Sequence, residues 1–208
     1  MTRRYGLLFG PLSALLLAAG IVGLPLIVPG YDSVHQTVSE IGEVGSPANV
    51  PFALDLFLVA ACLLIFAWAL RGVARDAGRP TLAAWLVGCM TVTVAALGWF
   101  AYPHPMHNVF GPTELIGYQA PLVVALTWGR SPTLRPVAIF SGWMALLLWL
   151  AVIANLCVLD PHGPILGAVW AFERPIYGLV QRSLFLFWCI WCAGAGLWLW
   201  RRAVTTEA

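Results

Sequence analysis

The sequence predicts an all-α, polytopic membrane protein, a six-transmembrane-helix bundle, and three observations carry that expectation. Of its 208 residues, 61% are hydrophobic and 10% charged, with a mean hydropathy of +0.85. A soluble domain does not hide so much apolar surface, so the solvent is lipid. Six apolar stretches approach the roughly 20 residues needed to cross a bilayer, and arginine alternates between the segments that join them.

The six stretches run over about 5–28, 51–70, 81–102, 112–128, 136–157 and 176–200, and together they make one transmembrane domain over 1–208. Proline stands near five of the starts, as Pro51, Pro80, Pro112, Pro136 and Pro175. There the missing N–H costs little and the fixed φ suits a first turn. Pro11 and Pro25 in helix one and Pro121 in helix four each remove an internal backbone bond, which predicts kinks. Arg3 and Arg4 followed by an apolar run have the look of a signal peptide, but without a small-residue cleavage site the expectation is an uncleaved first helix. No internal repeat is convincing enough to indicate an inverted-repeat transporter.

Orientation follows from the cations. There is no lysine, and nine of the eleven arginines (Arg3, Arg4, Arg71, Arg75, Arg79, Arg130, Arg135, Arg201 and Arg202) fall before helix one, after helix six or in the alternate loops between. Positive charge collects on cytoplasmic loops, so both termini are expected in the cytoplasm, in a prokaryotic inner or plasma membrane. A net charge of +2 is too small to imply nucleic acid. Cys62, Cys89, Cys157, Cys189 and Cys192 lie in or beside apolar segments and read as small hydrophobes, the CxxC of Cys189 and Cys192 included.

The same orientation gathers the titratable groups on the opposite face. His35, His104, His107 and His162 map there, with Asp32, Glu40, Glu43, Asp160 and Glu173, while Asp55 and Glu114 enter helices two and four from that side. Arg182 lies about two turns into helix six, roughly 10 Å deep. A guanidinium at that depth needs partners, and Asp55 and Glu114 are the natural ones, either as a structural clamp or around a pocket that holds an anion. His104 and His107 are three apart, not a known zinc spacing. With His162, Asp160 or Glu114 they would make a three-ligand site for a divalent metal such as zinc, against the simpler alternative of a solvated loop. Asn49 before Pro51 has the form of an N-cap. The YDSVHQTV segment alternates like an amphipathic stretch lying at the interface. Glu40, with no evident capping role, is a candidate for proton transfer.

Several of these motifs together resemble a known family. The YDSVHQTVSEIG loop, the Asn49-Val-Pro-Phe52 entry to helix two, Pro103 with His107-Asn108, and Gly178-Leu-Val-Gln-Arg182 are similar to the family called domain of unknown function 998, small prokaryotic six-span proteins. The resemblance implies a six-helix bundle with recurring polar positions at Ser39, Glu40, Asn49, His107 and Arg182. The Asp-containing turn usual after helix three is Pro103-His104-Pro105 here.

Function is expected at that polar layer. One expectation is an intramembrane enzyme acting on a lipid or isoprenoid by hydrolysis or cyclisation, with Glu40, Glu114 and His107 as catalytic groups. Arg182, Asp55, Ser39, Asn49, Asn108, Tyr118 and Trp99 would bind the substrate, and Trp170 would help line an apolar pocket. The alternatives are a non-catalytic binding or assembly subunit held by an arginine–carboxylate clamp, and a small transporter. The partners implied are membrane lipid and a hydrophobic small molecule.

Overall fold

The computed structural model describes residues 3–159 and 162–205, all of them helix, turn or loop with no strand. Asp160 and Glu207 lie outside the described residues. Six helices are long and apolar enough to cross a membrane: Arg3–Ile27, Asn49–Asp76, Leu82–Trp99, Pro105–Trp128, Arg135–Asn155 and Leu166–Ala203, helices one to six below. Helices two, three and five match the sequence expectation to within a few residues, apart from an extra turn and a half that carries helix two on to Asp76. Helix four begins at Pro105 rather than 112, because the Pro103–Pro105 turn starts the span directly. Helix six begins ten residues early: a lead segment, Leu166–Glu173, joins the long Tyr177–Thr205 helix through a 3-10 turn at Arg174–Ile176. At 38 residues the whole span would be about 57 Å long, well beyond a hydrocarbon core of about 30 Å, so part of it stands outside that core.

Each expected proline irregularity is present. Helix one is broken at Leu7–Leu8, one turn before Pro11, and passes into a 3-10 turn at Leu24–Ile27 around Pro25. Helix four is interrupted at Gly111–Thr113, beside Pro112, and again before Ala120–Trp128, which carries Pro121 in its first turn. Pro11 has no N–H to offer the carbonyl of Leu7, and helix six uses the space: a Cβ on Gly196 would sit 2.6 Å from that carbonyl oxygen. Small residues are how helices in lipid approach closely, and Gly10 meets the Cys192 carbonyl in the same seam.

Packing follows chain order. Helix one lies against two, two against three, three against four, four against five, five against six, and six returns to one. The result is a closed ring. At the arginine-rich end its axis is filled: Phe66 meets Trp191 edge-on at 6.3 Å, the Trp191 indole donates to Ser141 Oγ at 2.9 Å, and the Trp128 indole donates to the Pro80 carbonyl at 3.2 Å. An ion pair between Arg3 and Asp76 joins helices one and two at that end. At the His-bearing end the aromatic filling stops at Trp188, and a cavity of about 420 Å³ takes its place.

Candidate functional site

The segment after helix one folds over the cavity as a loop built from a turn and a short helix. Asp32 turns it by accepting from the Val34 amide at 2.8 Å, with His35 Nδ1 at 2.6 Å from its other oxygen. The amide bond and the imidazole together hold the Asp32 carboxyl below the usual carboxylate range. A short helix, Val38–Ile41, then dips into the ring and buries Val38 and Ile41 completely or nearly so. Its start is capped by Glu40, whose carboxylate accepts from the Thr37 amide at 2.6 Å and the Thr37 hydroxyl at 2.7 Å. Its end is tied down by Asn49, whose amide donates to the Gly42 carbonyl at 2.6 Å, and by Ser46, whose hydroxyl donates to Ile41.

Two sequence expectations change here. Glu40, expected to have no capping role, closes a capping box through one of its carboxylate oxygens. Asn49 does not cap helix two; it is the first helical residue, and its side chain anchors the loop instead.

Arg182 departs furthest from expectation. One of its terminal nitrogens donates to the carbonyls of Ser33 (2.9 Å), Gln36 (2.8 Å) and Gly178 (2.9 Å), and the other to the Tyr31 hydroxyl. Neither Asp55 nor Glu114 touches it. Backbone carbonyls carry partial negative charge and can satisfy a guanidinium without a counter-ion, so the clamp joins loop to helix rather than helix to helix. Gly178 allows it: a Cβ there would collide with the backbone oxygens of Ser33, Val34 and Gln36. Tyr31, in turn, donates to the Thr37 carbonyl at 2.7 Å, and burial raises its phenol above the usual value, which keeps the hydroxyl neutral.

The expected partners of Arg182 lie elsewhere. Asp55 presses against Gly20 in the seam between helices one and two, with its Oδ2 buried and unbonded. Glu114 faces the cavity and accepts from the Tyr118 hydroxyl at 3.0 Å. Tyr118 also lines the cavity and meets Trp188 edge-on at 5.7 Å. Trp99 is 74% exposed on the outside of helix three, and Trp170 packs on Tyr177; neither lines the cavity.

Loop and helix four meet at His107. Pro105 opens the first turn of that helix, His104 caps it by accepting from the Met106 amide at 3.1 Å, and His107 then points back into the ring. Its Nδ1 lies 2.8 Å from the Phe100 carbonyl and its Nε2 2.9 Å from Ser39 Oγ. A carbonyl only accepts, so Nδ1 carries the hydrogen. Nε2 is then the acceptor, and the Ser39 hydroxyl donates to it. A serine hydroxyl aimed at a histidine that a third group orients is the arrangement of a nucleophile and its base.

This pair stands at the polar end of the cavity, with Asn108 and Gln181 beside it. Below, the walls are largely apolar, with Glu114, Tyr118 and Asn155 as polar exceptions, and run from Phe52 to Leu63 on helix two and from Tyr177 to Trp188 on helix six, a depth of about 16 Å. A three-histidine metal site is not assembled. Both nitrogens of His107 are engaged, His104 stacks on Phe100 at 5.0 Å, and His162 is exposed. Among the described residues, no three His, Cys, Asp or Glu come close enough to hold a metal ion.

Residues 11–198 match the family described as protein of unknown function (DUF998). The chain belongs to that family. No curated protein and no solved structure matches it. It is an integral membrane protein whose family carries no described activity.

Proposed function

We propose that the chain is an intramembrane hydrolase that cleaves a single-chain lipid ester, with Ser39 as nucleophile and His107 as general base. The observation that carries the reading is the Ser39 to His107 hydrogen bond at the mouth of a deep apolar cavity. The cavity is within the size range of small-molecule sites, about 300–1,000 Å³, and suits one hydrocarbon chain with its ester at the polar end. The arginine distribution supports placing that end outside the cytoplasm.

Ser39 Oγ attacks the ester carbonyl while His107 Nε2 takes its proton. The bond to the alcohol oxygen then breaks, and the imidazolium returns the proton to the departing alcohol, which leaves the acyl group on Ser39. Water attacks that acyl-serine, His107 again accepts and returns a proton, and a carboxylic acid departs from a restored serine. The Phe100 carbonyl takes the orienting position that a carboxylate often holds, since it fixes the tautomer and ring plane. Glu114 and Tyr118, deeper in the cavity, meet the chain rather than the ester.

Hydrolysis is preferred to cyclisation because a nucleophile and base are already paired. The test is an alkyl fluorophosphonate applied to the purified chain in nanodiscs, with the modified peptide mapped. Modification of Ser39, absent in His107→Ala, is expected, along with hydrolysis of medium-chain p-nitrophenyl esters. An unmodified Ser39 and no ester cleavage would end the proposal.

A further inference from the structure

Hydrolysis at Ser39 develops negative charge on the ester's carbonyl oxygen, and neither the Ser39 hydroxyl nor the His107 imidazole, both occupied in the proton transfer, supplies a side-chain donor to it. We infer that Gln181 supplies the oxyanion donor through its side-chain Nε2, an assignment that rests on the Ser39 hydrolase reading and deepens it.

The orientation of this amide is fixed. The backbone N–H of Val38, the residue before the nucleophile, donates to a Gln181 side-chain oxygen at 2.7 Å. An N–H must meet the oxygen of a carboxamide and not its nitrogen, so the other half of the group, Nε2 with two donor hydrogens, is turned away from Val38. Among the described residues no group accepts from it, and it is not among the buried atoms left without a partner. Gln181 lines the same cavity as Ser39 and His107. A donor is therefore carried by a side chain that is bonded to the residue before the nucleophile and lines the same cavity.

Three contacts make it rigid. The Val38 amide holds the oxygen, the following residue on helix six is Arg182 with its bonds to the loop carbonyls, and Gly178 brings the backbones of loop and helix together. Pre-organised donors of this kind contribute most where water is excluded, because they need no rearrangement as charge appears. From helix four His107, the base, meets Ser39, while Asn108 lines the cavity but is exposed. Gln181 approaches from helix six, and its Nε2 carries the only unengaged N–H donors among the described cavity-lining residues whose amide the protein itself orients.

The experiment uses the full chain in nanodiscs with two substrates, a medium-chain p-nitrophenyl ester and its thionoester, in which sulfur replaces the carbonyl oxygen. Sulfur accepts hydrogen bonds poorly, so an enzyme that uses an oxyanion donor prefers the oxygen ester. The ratio of the two rates does not depend on how much protein is folded. In Gln181→Met and Gln181→Glu we expect kcat for the oxygen ester to fall about 100-fold, with KM little changed, and the oxygen-to-sulfur preference to shrink at least tenfold. Gln181→Glu keeps an oxygen for Val38, so its thermal midpoint should stay near that of the wild type. An unchanged oxygen-to-sulfur ratio in both variants would overturn the assignment while leaving the Ser39 mechanism standing. Failure of the fluorophosphonate to modify Ser39 in the wild type would overturn both.

Discussion

In the arginine-rich half of the ring, Phe66, Trp128 and Trp191 close the axis, and their indole N–H groups are all spoken for. In the other half the same six helices leave the axis hollow. Polar groups there divide into those held by several bonds, such as Arg182 and His107, and those that keep one function open, such as Ser39 and Gln181. The difference separates structure from chemistry. A saturated polar group inside a membrane holds the fold, whereas an oriented but unsaturated one beside a cavity is available to a ligand.

The sharpest way to break this contrast is to remove the open group. Ser39→Ala should lower ester hydrolysis by at least about 1,000-fold while the thermal midpoint stays close to wild type; retained turnover would mean the hollow half holds no serine chemistry. Arg182→Ala takes away the saturated group and should do the reverse to stability. Bonds from a charged donor contribute about 1.5–3 kcal/mol each, so a loss of roughly 2–4 kcal/mol in denaturant titration is expected, and Arg182→Lys should recover only part of it. If the alanine variant unfolds like wild type, the clamp is ornamental.

Smaller changes refine the picture. Val59→Trp would fill the apolar shaft, and catalysis of long-chain esters should fall about tenfold relative to short-chain ones, by the logic of overpacking; equal losses for both lengths would place the chain outside the shaft. Trp191→Phe in the filled half deletes one hydrogen bond to Ser141 and should cost about 1 kcal/mol, with chain-length preference untouched. A shifted preference there would show that the two halves are coupled.

Much of the fold could be read from the sequence because lipid makes hydropathy and arginine placement decisive. Six apolar runs and three kinking prolines were visible as such. Proline-containing turns that run on as helix account for both differences in helix starts: the span of helix four starts directly at Pro105, and in helix six the lead segment Leu166–Glu173 continues through the turn at Pro175, which reads in the sequence as a start.

The site was less legible. Ser39 and His107 were both visible as polar positions, but 68 residues separate them, and only tertiary packing shows that one hydroxyl meets one imidazole. The capping role of Glu40 is legible in the T-x-x-E pattern of Thr37-Val38-Ser39-Glu40. Arg182 was assigned to carboxylates because depth was the only coordinate available. Depth does not say which way a side chain faces, and backbone carbonyls leave no trace in residue type. Gln181, beside that arginine, carried no signal of its own beyond being polar within an apolar helix.

The ring order has a consequence for how the protein comes to exist. Each helix packs on the one made before it, so five helices can insert as successive neighbours without any distant contact. The two ends of the chain are joined by the seam between helices one and six, where Gly10 and Gly196 lie against opposing backbone, and by the bonds from helix six to the loop that follows helix one. Until helix six is in place there is no complete shaft and no clamp on the loop, even though Ser39 and His107 were synthesised long before. The cavity is thus completed by the last span, and in a chain halted before helix six the Ser39–His107 pair would stand beside a cavity with one wall missing.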